Sequence, residues 1–220
     1  MKDAVIGVRV HSGWGAFVGV SGERGAEDVI VRYRMDITDP DMRGAIQPYH
    51  YVGSFALQKA KDHIAKCAAA SHALALSGIW ELGHQLEDRG YRVAGAAILL
   101  SSGRALPDLS KILAAHPLIH TAEGEFFRAA FRNAFETAGI RVTGIPEREL
   151  GHRIKTVFGA AAPRLEQRIT EMRRILGPPW TTDQKTAALA ASIVLAESAT
   201  PYSAPAFSPA QTDIPKRSHR

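Results

Sequence analysis

An uninterrupted apolar run, Val93-Ala94-Gly95-Ala96-Ala97-Ile98-Leu99-Leu100, constrains the fold more than any other stretch of this chain. It follows a helix-stopping Gly90 and empties into Ser101-Ser102-Gly103-Arg104, so Arg92 to Leu100 reads as a strand. Strands with no polar alternation are those buried on both faces, which places this one in the interior of a sheet with helices above and below.

The segments before it supply its neighbours. Residues 4–37 read as three meandering strands. Ile6, Val8 and Val10 alternate with Val5, Gly7 and Arg9, a Ser12-Gly13-Trp14-Gly15 turn leads into Ala16 to Val20, and Ser21 to Gly25 turns the chain into Val29 to Met35. Strict alternation in the third strand sets Val29, Val31 and Tyr33 on one face and Ile30, Arg32 and Arg34 on the other. Beyond a Pro/Gly/Asp-rich loop, Ser54 is the expected cap of a helix whose stripe runs through Leu57, Ala60, Ile64, Cys67, Ala75, Ile79, Leu82 and Leu86. A straight helix over 55–88 would be about 50 Å long, so a kink at Gly78 or Gly83, or an end projecting for dimerisation, is expected.

After the apolar strand, Pro107 starts a short helix. Thr121 is the expected cap of an amphipathic helix carrying Phe127, Phe131 and Phe135 up to Gly139. Ile140 to Ile145 is a fifth strand, and Pro146 opens the helical remainder. Thr181-Thr182-Asp183-Gln184 is a capping box for a last helix through Glu197, and the Pro-punctuated 199–220 reads as a flexible tail.

The element order βββαβαβ followed by helices resembles the ribonuclease H-like fold: an α/β architecture with a mixed five-stranded sheet and extra C-terminal helices. It divides the chain into a ribonuclease H-like domain over 1–160, a helical extension over 161–198 packed on it, and the tail. The phrases AILLSSGRALPDLSKILA, HPLIHTAEGEFFR and GPPWTTDQK resemble those of an uncharacterised bacterial protein family, which implies no activity. Active nucleases of the fold hold two divalent metals on carboxylates, starting with an aspartate in the first strand and another at the end of the fourth. Neither 4–20 nor 92–106 contains Asp or Glu here, so that chemistry is not expected.

Composition narrows the class without naming a function. The 220 residues are 45% apolar and 22% charged, with no run long enough to span a membrane and no signal-peptide pattern, so a cytoplasmic globular protein is expected. The single cysteine, Cys67, excludes an intrachain disulfide. A net charge of +5 is mild, and no Walker loop, dinucleotide fingerprint or GxSxG elbow occurs.

Three groups of residues could carry chemistry. Ser101, Ser102, Gly103 and Arg104 form a small-residue loop with one cation where a strand meets a helix, which suits a phosphate or carboxylate. His120 with Glu123 and Glu125 offers an acid-base pair. His116 lies four residues before His120, but Pro117 biases His116 toward extended backbone, and the spacing matches no zinc signature, so no metal and no cofactor is expected. Arg9, Arg32 and Arg34 would track a nucleic-acid backbone if their sheet face were open. The leading expectation is therefore a non-nuclease binding module for a phosphate-bearing ligand, either nucleic acid or a phosphorylated small molecule, with nucleic acid favoured. The alternatives are a hydrolase or transferase using His120 and Glu123 or Glu125 beside Ser101 to Arg104, and a structural protein dimerising through the 55–88 helix.

Overall fold

The apolar run forms the body of β4 (Tyr91–Leu100), flanked on both sides by strands. The computed structural model describes residues 1–101 and 105–198. Its sheet contains β1 (Lys2–His11), β2 (Trp14–Ser21), β3 (Asp28–Asp36), β4 and β5 (Val142–Pro146) in the order β3-β2-β1-β4-β5. The pairs β1–β2 and β2–β3 are antiparallel, whereas β4 runs parallel to β1 and β5 parallel to β4. An antiparallel meander extended by two parallel crossover strands is the ribonuclease H-like fold.

The strict alternation expected of β3 does not hold. The β2–β3 register shifts between Gly19 and Val20, and this irregularity puts Val29 against one core while Val31 and Tyr33 join the other. An extra residue in one strand reverses the facing of everything beyond it.

One sheet face is covered by α2 (Leu57–Asp88) and by α4 (His116–Thr137), which runs between β4 and β5. Ile6, Val8, Phe17 and Ile98 meet Ile79 and Leu86 of α2 and Phe127, Phe131 and Phe135 of α4. Each large side chain so buried stabilises the fold by roughly 1.5–3 kcal/mol. The helix α2 is continuous over 32 residues, and Gly78 serves contact rather than a break: a Cβ there would lie 2.7 Å from Met35 Cε. Ala56, not Ser54, holds its N-cap position, and no side chain caps it. Helix α4 starts six residues earlier than expected, with Ala115 rather than Thr121 at its N-cap. Pro117 sits in its first turn, where a missing N–H costs nothing, and Thr121 bonds back to the Pro117 carbonyl at 3.0 Å from inside the helix.

The opposite face is sealed by α8 (Thr182–Glu197), which begins with the expected Thr181–Gln184 capping box. Its alanines lie almost flat on β1, and the enabling residue is Gly7, where a Cβ would stand 1.9 Å from the Ala187 carbonyl oxygen. Helices α5 (Leu150–Phe158), α6 (Ala162–Glu171) and α7 (Arg173–Leu176) flank it, adding Ile154, Phe158, Leu165 and Ile169 to the core of Val5, Val18, Leu99 and Ala191. Two short helices, α1 (Pro48–Tyr51) and α3 (Leu109–Leu113), complete the set. No described helix is long and apolar enough to cross a membrane.

Gly7→Ala should lower the stability by an amount at the upper end of ~1–3 kcal/mol, because the clash is with backbone rather than a movable side chain. The midpoint of urea unfolding measures this.

Glu27 gives a pH-dependent counterpart. It is fully buried, its Oε1 accepts the Gly25 N–H at 3.0 Å, and its Oε2 has no partner among the described residues. Burial raises its pKa above the ordinary 4.5 despite the hydrogen bond and the nearby Arg168 and Arg24. The folded chain therefore binds this proton more tightly than the unfolded chain, and the stability it contributes is present below pH 4.5 and lost as pH rises through the raised value. Glu27→Gln should melt higher than the parent at pH 7, with the gap closing toward pH 4 in thermal scans.

Candidate functional site

The parallel strands β1, β4 and β5 end at His11, Leu100 and Pro146, so their carboxyl ends share one edge of the sheet, where α/β proteins collect ligands. Above β1, the Arg9 guanidinium lies 2.7 Å from Glu147 and 2.9 Å from Asp183, and His11 Nε2 is 3.1 Å from the second oxygen of Asp183. His11 stacks on Trp14 at 4.1 Å with planes 10° apart, and the Arg34 guanidinium lies 4.2 Å from the Trp14 ring centre. Arg34 is also paired with Asp36 at 2.7 Å.

These residues do not fit the two-metal centre of the fold's nucleases. The carboxylates at the end of β1 come from the start of α8 and the turn after β5, and a guanidinium already neutralises both. A fixed cation between two acids competes directly with a divalent ion for the same oxygen ligands.

Above β4, Ser101 belongs to a second group. Arg128 Nη2 donates to Ser101 Oγ at 2.7 Å and to Glu125 Oε1 at 3.0 Å, and Ser101 Oγ donates to the same Glu125 oxygen at 3.2 Å. Arg128 is buried, so this pairing is held by packing as well as charge. Ser102, Gly103 and Arg104 lie outside the described residues.

The third group is built by the early start of α4. His116 and His120 are one turn apart on one face of the helix, and Glu123 follows at the next turn. His50 of α1 completes the set: its ring centre is 5.3 Å from that of His116 and 4.8 Å from that of His120, and those two are 4.5 Å apart. One ligand nitrogen from each ring falls within 4.8 Å of the others. Glu123 is 3% exposed and lies behind His50, accepting its backbone N–H at 3.1 Å. The same Oε1 is 3.0 Å from His50 Nδ1, off the line of a hydrogen bond.

The structure thus divides residues that the sequence grouped together. Glu125 is five positions after His120, about 140° around the helix, and its partners are Ser101 and Arg128. His120 and Glu123 belong instead to the His50 cluster, so the described contacts give no common point for His120, Glu125 and Ser101.

The arginine face is likewise covered. Helix α8 lies over β1 and β2, Arg9 is held by the two acids, and Arg32 donates to the carbonyls of Leu176 and Pro179. Of the three arginines, Arg34 is the most exposed. Burial raises the pKa of Cys67, which lies 3.5 Å from His63, and a thiol held protonated is a poor nucleophile.

The chain matches no protein-family model and no curated protein. Its backbone is similar to two structures of RuvC from Thermus thermophilus, one of them in complex with a Holliday junction substrate. In each case the identity is 14%, the match covers 89% of this chain and 94% of that one, and the TM-score is 0.48. At that level the likeness concerns architecture alone.

His50 is the site residue that sequence reasoning missed. It lies in a Pro-bounded loop with no periodicity, more than sixty residues from His116 and His120, and only the fold of 36–53 over the start of α4 brings it near.

Arg9→Ala leaves Glu147 and Asp183 facing each other without a cation. A loss of about 1 kcal/mol is expected for this partly exposed network, shrinking in high salt, as measured by urea unfolding at two ionic strengths.

Proposed function

We propose that this protein is a non-nuclease ribonuclease H-like binding module for a phosphate-bearing polymer, with nucleic acid as its ligand. The observation supporting this reading is the distribution of unpaired cations. Residues 150–176 carry six basic side chains against two acidic ones, within a chain whose net charge is +5. Among the described residues, Lys155, Arg164, Arg173 and Arg174 make no ion pair, and all three arginines are exposed. Arg164 and Arg174 line a groove of about 510 Å³ together with Glu171 and with Arg168, which is paired with Asp28 in the same wall. Exposed Ile175 forms part of the same wall.

This face continues onto the edge of the sheet. Arg32 of β3 reaches the end of α7 through the Leu176 carbonyl, and exposed Arg34 is two residues further along the same strand. Arg34 is paired with Asp36, so the unpaired charge on this face is that of Arg164, Arg173 and Arg174, and guanidinium groups clustered in this way suit phosphates, since each phosphate so paired releases condensed counterions. The paired Arg9 centre supports the non-nuclease half of the reading, because its carboxylates are already neutralised.

The test is fluorescence anisotropy with single- and double-stranded DNA and RNA across a salt series. Binding should weaken steeply with salt, and the combined variant R164A/R173A/R174A should reduce the slope of log K against log salt by roughly 1 for each phosphate that no longer has its arginine. Absent binding at low salt, or an unchanged slope in the variant, would refute the reading.

A further inference from the structure

We propose that His50, His116 and His120 form a mononuclear site for a zinc-type divalent metal, with Glu123 as the residue that orients His50. Four observations converge on it. The three rings come from two separate elements, α1 and α4, and meet edge to face at centre distances of 4.5–5.3 Å. Their candidate ligand nitrogens lie within 4.8 Å of one another. A tetrahedral zinc ion with Zn–N bonds near 2.05 Å sets its nitrogens ~3.3 Å apart, so rotations of the exposed His116 and His120 rings are enough to close the site.

The third observation is the carboxylate behind the cluster. Glu123 is almost fully buried next to Ala122, Phe126 and Tyr49, a place where an ionised carboxylate needs a compensating charge. Its Oε1 accepts the main-chain N–H of His50 and lies 3.0 Å from Nδ1 of the same ring, so a small rotation of that ring would bring Nδ1–H onto the carboxylate and leave the Nε2 lone pair for a metal. A dication on Nε2 would polarise that ring toward Glu123 and supply the charge that the buried carboxylate lacks. The fourth observation is access. His116 and His120 are exposed, and His50 also forms part of the wall of a cavity of about 620 Å³ lined by Asp39, Gln47 and Tyr51. Three protein nitrogens leave a fourth coordination position for water or a ligand oxygen.

The site is separate from the arginine face in residues and in chemistry, so either can fail without the other. The experiment is isothermal titration of zinc chloride into the chelator-treated full chain, with cobalt substitution read by visible absorption. One equivalent should bind, and cobalt should give the intense d–d bands of a tetrahedral nitrogen site. His116→Ala and His120→Ala, both at exposed positions, should each weaken binding at least 100-fold. Glu123→Gln, which keeps the shape but removes the charge, should weaken it 10–100-fold. His152→Ala, at an exposed position of α5, should have no effect. Lack of zinc binding would overturn the proposal. Binding that survives both His116→Ala and His120→Ala would overturn it too, as would cobalt spectra that are octahedral in the parent chain.

Discussion

The contact on which the rest of the structure depends is the one between the backbone of α8 and the strand beneath it. Gly7 has no side chain, the α8 surface over it is alanine, and the helix therefore settles onto β1 at a distance that a single Cβ would forbid. Sealing this face turns an antiparallel meander with one open side into a sheet buried above and below. It also decides where the charged residues of β1 and β3 can go. Arg9 is driven to the end of the strand, where α8 begins with Asp183, and Arg32 is driven to the outer edge, where it meets the carbonyls that end α7 and precede Trp180.

Charge at the carboxyl edge of the sheet is consequently balanced inside the molecule. Arg9 faces two acids, Arg128 holds Glu125 and Ser101, and Arg34 holds Asp36. Ligands of α/β sheets collect at this edge, and here the described charged groups along it are held in ion pairs. Among the described residues, the groups left without such partners lie elsewhere: Arg164, Arg173 and Arg174 of α6 and α7, and His116 and His120 at the start of α4. Helix α4 separates two of these settings, because residues 116, 120 and 123 occupy one side while 125 and 128 occupy another.

Much of the architecture was legible along the chain because its signals are local. The unbroken apolar stretch of β4 required cover on both sides, the glycine turns of the meander fixed antiparallel neighbours, and the Thr181–Gln184 box marked the start of α8. The errors were local competitions whose outcome packing decided. Pro117 was compatible both with an extended residue before it and with a helix start, and burial of Ile119, Ala122 and Glu123 chose the helix. The alternation in β3 was compatible with a single facing, and the register shift at Gly19 and Val20 imposed two.

By itself the sequence determined the order of strands and helices, the missing acids of the nuclease centre, and the candidate roles of its histidines and arginines, since each of these is a property of residue type and spacing. Only the tertiary structure decided which of those side chains meet. Serine and histidine corners that adjoin in the chain part company around a helix, because successive residues advance by 100°. His50 crosses some seventy residues to reach Glu123, a pairing that follows from packing of the 36–53 segment onto α4 and leaves no periodic trace in the chain.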